Sequence, residues 1–282
     1  MKHILLLTDF SENSINAIRY GLKFFENDNC SFLMLHVHKS TSYLTDDLML
    51  SGSGSIYDSI IGKSKNKLQT LLRTVKKEFN NKKHVFKCLV DYDVLTDAIK
   101  QIQKSEKIDC IVMGTNGETG AREVLFGSNT INVVRKINCP TLIIPEKFKY
   151  KRVKQILLPL DSADSIKDKA FMESLNFTNH LFEKLHILRI ETNSDTPFEH
   201  IDDKENLNRF LENTHYEYHL IKNISMEESI NCYEQTHDID LLILIEQTKS
   251  FFERLFSGSE TKKVTTTIRI PLFIFHSQSP IT

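Results

Sequence analysis

Three of the four glycines in GTNGETGAREVLFGSNT, residues 114–130, and the serine of its GSN turn have the types and spacing to handle a phosphate group. Phosphate recognition needs several backbone N–H donors aimed inward at close range. A Cβ either blocks that approach or forbids the positive φ that turns an amide toward the ligand. Gly114 and Gly117 follow the apolar run DCIVM and would shape the turn leaving it, while Gly127 and Ser128 lead into INVVRKI, a run with helical spacing. The start of such a helix offers unpaired amides and a positive partial charge. The Ser128 hydroxyl can cap that helix or donate to a phosphate oxygen. Glycine content alone leaves a plain turn-forming role equally open. Other nucleotide signatures do not fit, since there is no GxxxxGK[ST] and no GxGxxG directly after a strand. SGSGS at residues 51–55 lies in a polar connection and reads as a surface loop.

Other side chains with chemical potential have plainer readings. Asp9 follows the apolar run ILLL, and a carboxylate there more often caps the next helix or binds a hydroxyl than acts as a general base. Arg122, inside the glycine segment, suits either a phosphate or the solvent. His36 and His38 flank Val37, but no matching cysteine or carboxylate cluster makes them a metal pair. FFERLF, residues 251–256, reads as a core or partner face. There is no phosphate-loop lysine, no carboxylate pair of metal-binding spacing and no evident water-positioning residue, so any turnover is expected to be slow.

The elements that must hold these residues occur twice. IDCIVMGTNGETGAREVLFGSNTINVVRKINCPTLIIP aligns without a gap to IDLLILIEQTKSFFERLFSGSETKKVTTTIRIPLFIFH, with nine identical columns that include Gly127/Gly258, Ser128/Ser259 and Thr130/Thr261. KHILLLTDFSENSI is echoed by KQILLPLDSADSI, with Asp9 opposite Asp161. The charged stretch EKFKYKRVK reads as a linker, giving domains at residues 1–148 and 149–282. Each half alternates short apolar runs with helix-spaced segments, predicting five strands per half and helices over 57–80, 94–106, 128–137, 199–213, 226–236 and 259–268. Such alternation predicts two doubly wound parallel five-stranded sheets in tandem. Ligands of such sheets bind beyond the carboxyl ends of the strands, where strand order reverses. The halves are unequal, because Gly114 becomes Ile245 and Gly117 becomes Thr248 in the second. Positive φ at those β-branched residues would cost about 1–2 kcal/mol each, so ligand binding is expected in the first half and its loss or weakening in the second.

Composition sets the outer bounds. A chain of 282 residues with formal net charge −1 supplies no field that would hold nucleic acid or an anionic membrane, and clusters such as KKEFNNKK are short and mixed. Five scattered cysteines, none as CxxC, argue against a disulfide framework or a zinc site. The opening MKHILLLTDF has too short an apolar run for a signal peptide or a membrane span, so a soluble cytoplasmic protein is expected.

Gly114-x2-Gly117-x9-Gly127-Ser128, preceded by IVMG and followed by CPTLIIP, resembles the ATP-binding signature of the universal stress protein family. ILLLTDFSENSINAI is similar to the start of that family, apart from Leu7 where proline is usual, and FLMLHVH resembles its second strand. The resemblance covers both halves and implies a tandem, Rossmann-like fold of the adenine nucleotide alpha hydrolase type. It implies that Thr8, Asp9 and the backbone of Val37 meet the adenosine of ATP, ADP or AMP, and that Gly114, Gly117, Gly127, Ser128 and Asn129 hold ribose and phosphates. Magnesium would accompany a triphosphate, and the domains would pair through their last strands, with homodimers also open. A nucleotide-responsive regulatory protein with an unknown protein partner is the leading reading. A slow ATPase or phosphotransferase, and a nucleotide-independent scaffold or apolar ligand carrier, are the alternatives.

Overall fold

The computed structural model describes residues 1–38, 54–115, 126–161, 164–178, 180–191, 201–212, 214–246 and 269–277. The chain divides into two compact units, Met1–Tyr150 and Lys151–Thr282. In the first, β1 (Lys2–Leu7), α1 (Glu12–Phe24), β2 (Cys30–Val37), α2 (Gly54–Phe79), β3 (His84–Asp91), α3 (Leu95–Ser105), β4 (Cys110–Gly114), α4 (Ser128–Lys136) and β5 (Thr141–Ile144) follow one another. The strands are parallel and lie in the order β3-β2-β1-β4-β5. Ile4, Leu5, Leu6, Ile111 and Val112 are fully buried, as expected of strands covered on both faces by crossover helices. Strand order reverses between β1 and β4, so the crevice outside their carboxyl ends is where this topology places a ligand.

α1 begins where its sequence signals a start. Ser11 is the N-cap and its side chain accepts from Ser14 N, Glu12 stands in the first turn, and Ala17, Ile18 and Leu22 form the buried face. α4 is different, because its N-cap is Gly127 and no side chain among the described residues caps it.

The second unit repeats the plan with β6 (Gln155–Leu160), α5 (Lys169–Thr178), β7 (Lys184–Glu191), α6 (Ile201–Phe210), β8 (Tyr216–Lys222), α7 (Met226–Thr236), β9 (Leu241–Glu246) and β10 (Leu272–His276). Its strands are parallel in the order β8-β7-β6-β9-β10. The gapless repeat is also a repeat of register, for Gly114 pairs with Ile144 and Ile245 with Phe275. α7 opens with a capping box between Ser225 and Glu228. Residues 39–53, most of the segment around Gly117 and Arg122, FFERLF, Thr248, Gly258, Ser259 and the helix expected over 259–268 lie outside the described residues.

Candidate functional site

The turn from β1 into α1 is built from short polar side chains. Thr8 N donates to Leu35 O at 3.0 Å. Its hydroxyl meets Ser14 Oγ at 3.0 Å and accepts from Phe10 N at 3.0 Å. Asp9 Oδ1 accepts from Ser11 N at 3.0 Å and from Ser11 Oγ at 2.6 Å. One carboxylate oxygen of Asp9 therefore orders the turn. The other, Oδ2, has no protein partner among the described residues. Phe10 sits at φ 67, a conformation that costs a non-glycine residue about 1–2 kcal/mol. Its ring is held 4.3 Å from that of His36.

His36 is a positioning residue of this turn. Its Nδ1 lies 2.9 Å from Thr8 O, and burial lowers its pKa from the ordinary value, with the bond to Thr8 acting in the other direction. His38 instead stacks on Tyr92 at 5.5 Å, and its amide donates to Asp91 O. Val37 ends β2 opposite Asp91. Among the described residues no group of His, Cys, Asp or Glu is placed to hold a metal ion.

At the exit of β4 the glycine has a reason that differs from the expected one. Gly114 is not in the left-handed region, and a Cβ on it would lie 2.7 Å from Asn13 Nδ2 and 2.9 Å from Asn13 Cγ. The missing side chain makes room for the amide of Asn13, which is buried in the first turn of α1. Strand geometry at Ile245, within β9, likewise requires no positive φ, so the strain expected there does not arise. What Ile245 changes is volume.

Gly127 is extended, with φ −61 and ψ 154, and its amide already donates to Thr115 O at 2.7 Å. That bond links the start of α4 to the residue after β4, so the Gly127 amide is engaged within the protein. Ser128 stands one residue past the N-cap, so it does not cap α4 through its side chain. Thr130 Oγ1 donates to Gly114 O at 3.1 Å and Thr115 O at 3.0 Å, locking α4 to the strand exit. Ser128 and Asn129, both exposed, occupy the uncapped first turn, whose amides lack intrahelical acceptors. The Thr115 hydroxyl is buried with no partner among the described residues.

Thr8 and Asp9 are thus joined to the β4 exit through α1, whose Ser14 touches Thr8 and whose Asn13 fills the space at Gly114. Asn13, His36 and Thr130 were not singled out as structural supports by sequence reasoning. The repeated column Thr130/Thr261 was the available signal for one of them; a polar residue in the first turn of a helix is too ordinary to flag Asn13.

The second unit fills the corresponding region with its own charge. Arg189 pairs in register with Leu160 and is fully buried. Its Nε donates to Asp203 Oδ2 at 2.8 Å, its Nη2 lies 2.7 Å from the same oxygen, and its Nη1 donates to the carbonyls of Asp161 and Asp164. Tyr218 adds a 2.9 Å hydrogen bond to Asp203. Asp164, buried beside Asp161, has its pKa pushed up to about 8. Where the first unit anchors the turn after its first strand with an imidazole, the second uses a guanidinium bound to a carboxylate of α6.

Two doubly wound parallel units with this turn and strand exit define a Rossmann-like protein of the adenine nucleotide alpha hydrolase type. Residues 1–145 match the universal stress protein family, and the chain belongs to it. A universal stress protein of Methanocaldococcus jannaschii is 28% identical over 155 residues, spanning 52% of this chain and 96% of its own. One from Synechocystis sp. is 25% identical over 296 residues, spanning 98% of this chain and 100% of its own, as fits a two-domain layout. Among solved structures, a universal stress protein from Archaeoglobus fulgidus has a TM-score of 0.68 at 18% identity, covering 98% of this chain and 96% of that one, a likeness of fold.

Proposed function

We propose that the first unit binds an adenine nucleotide and that the protein is a nucleotide-responsive regulator. The observation that carries this reading is the uncapped first turn of α4, at residues Ser128 and Asn129, beside the β1–β4 switch point. A helix start with free amides, positive partial charge and no side-chain cap suits a phosphate tail. Asp9 Oδ2, which has no partner among the described residues, suits a ribose or base hydrogen-bond donor in the same crevice, and the end of β2 at Val37 would meet the base. Gly114 contributes by letting Asn13 close the floor between them, and Gly117 belongs to the same motif. ATP, ADP and AMP share this chemistry, and magnesium would come with the phosphates. In the second unit the buried Ile245 stands at the position of Gly114 and Arg189, paired with Asp203, at that of His36, which supports a structural role for that unit. The free state of all five cysteines fits a reducing compartment, the cytoplasm.

Mass spectrometry of the full chain, purified and sprayed under native conditions, tests the reading. Co-purified adenine nucleotide, or its uptake on addition of ATP, is the expected result. A bound lipid, or a bare chain that ignores added ATP, ADP and AMP, would point to the scaffold or carrier alternative.

A further inference from the structure

The whole-chain balance conceals a strongly charged face. Residues 63–87 contain nine Lys/Arg and a single acid, Glu78, a formal +8 in a chain of net −1, so all other residues together carry −9. Ser64, Leu68 and Val75 bury the inner side of α2. Lys63, Lys65, Lys67, Arg73, Lys76 and Lys77 are all exposed, and Lys82 and Lys83 extend the same charge into the turn before β3. Glu78 is engaged by Arg19 at 2.9 Å. Lys67 and Lys76 lie over the rings of Phe10 and Phe86 rather than beside carboxylates. Lys63, Lys65, Arg73 and Lys77 have no carboxylate partner among the described residues.

Spacings of three and four residues place Lys63, Asn66, Thr70, Arg73 and Lys77 along one outward line of a helix about 39 Å long. Thr70 and Thr74 turn their hydroxyls back onto helix carbonyls, which leaves cations as the groups offered outward. A protein partner is a poor match, because interface centres are rich in aromatics and arginine and poor in lysine, and this line holds no aromatic. A nucleic acid is also a poor match, since arginine is the usual phosphate and base-edge reader, base stacking needs exposed rings, and only one of the six α2 cations is an arginine. Clusters of this size on one side of an amphipathic helix fit the anionic surface of a bilayer.

We propose that the outer face of α2 holds the protein reversibly, by charge alone, on an anionic lipid bilayer. The bond is peripheral, since no helix among the described residues is long and apolar enough to cross a membrane.

The full chain is sedimented with phosphatidylcholine vesicles made with and without phosphatidylserine. Binding to the phosphatidylserine vesicles alone, released by molar salt as the screening length falls to about 3 Å, is expected. Each cation contributes about fivefold, so Lys63→Gln, Arg73→Gln and Lys77→Gln together should weaken partition about a hundredfold. Lys100→Gln with Lys104→Gln, exposed on α3, should change it only slightly. Three results would overturn the proposal: no phosphatidylserine dependence at low salt, equal loss with the α2 and α3 variants, or capture by duplex DNA with vesicles ignored. Melting curves confirm that each variant is folded.

Discussion

Replacing Gly114 by alanine separates two reasons for a glycine at that position. If the residue is glycine for a ligand alone, Gly114→Ala should leave the free protein unharmed or stabilise it by about 0.4–1 kcal/mol, because alanine restricts the unfolded chain. The structure predicts the opposite sign. The new Cβ would lie 2.7 Å from Asn13 Nδ2 and 2.9 Å from Asn13 Cγ, both far inside van der Waals contact. Asn13 is buried in the first turn of α1, so its amide has little room to swing away, and crowding of this kind costs about 1–3 kcal/mol. Asn13→Ala should lose its own contacts but accept the alanine at residue 114, so the double variant should be more stable than the sum of the singles by at least about 1 kcal/mol. Urea unfolding followed by tyrosine fluorescence gives the four free energies. A neutral or stabilising Gly114→Ala, or additive single variants, would refute the steric explanation.

Further perturbations reach other parts of the molecule. Arg189→Met should destabilise the second unit by about 3–5 kcal/mol, because it strands the buried Asp203 carboxylate, and Asp203→Asn added to it should recover a good part of that loss; equal melting of the single and double variants would contradict this. Burial, aided by Lys184, pushes the fully buried His186 down to about 4 from 6.5. It is neutral when folded, so its contribution is complete above about pH 6.5 and is lost as pH falls toward 4, a loss of about 3 kcal/mol that His186→Gln should remove from the pH–stability curve. Asp164 has the opposite sign: raised to about 8 from 3.8 by burial and then by Asp161, it weakens the fold as pH rises through that range, and Asp164→Asn should melt above the parent at alkaline pH. Ser128→Asp with Asn129→Asp places carboxylates on the first turn of α4, and calorimetry should find ATP affinity reduced at least tenfold with the melting temperature preserved or raised.

The sheet was legible because its strands are continuous apolar runs and its helices carry apolar stripes, patterns set by local periodicity. The alternation predicts parallel doubly wound sheets but not the strand orders, β3-β2-β1-β4-β5 and β8-β7-β6-β9-β10, because right-handed crossovers are compatible with more than one order. The location proposed for the site rests on the same pattern, since a strand exit at a switch point is a property of topology. The purpose of individual residues was not. Spacing alone cannot tell a glycine that admits a neighbour's side chain from one that needs positive φ, and only the approach of Asn13 decides the matter at Gly114. Nor does spacing show that Gly127 spends its amide on Thr115. His36 and Arg189 occupy like positions on β2 and β7 with unlike chemistry, and no short-range pattern tells that each holds the turn after the neighbouring strand. The charge on α2 was hidden by averaging over a chain whose total is nearly neutral.

Calorimetric titration of the full chain with ATP measures the stoichiometry on which the functional reading rests. One nucleotide per chain, lost in the Ser128→Asp/Asn129→Asp variant and retained in Arg189→Met, is the predicted result. Two per chain, none, or one that survives the aspartates would contradict it.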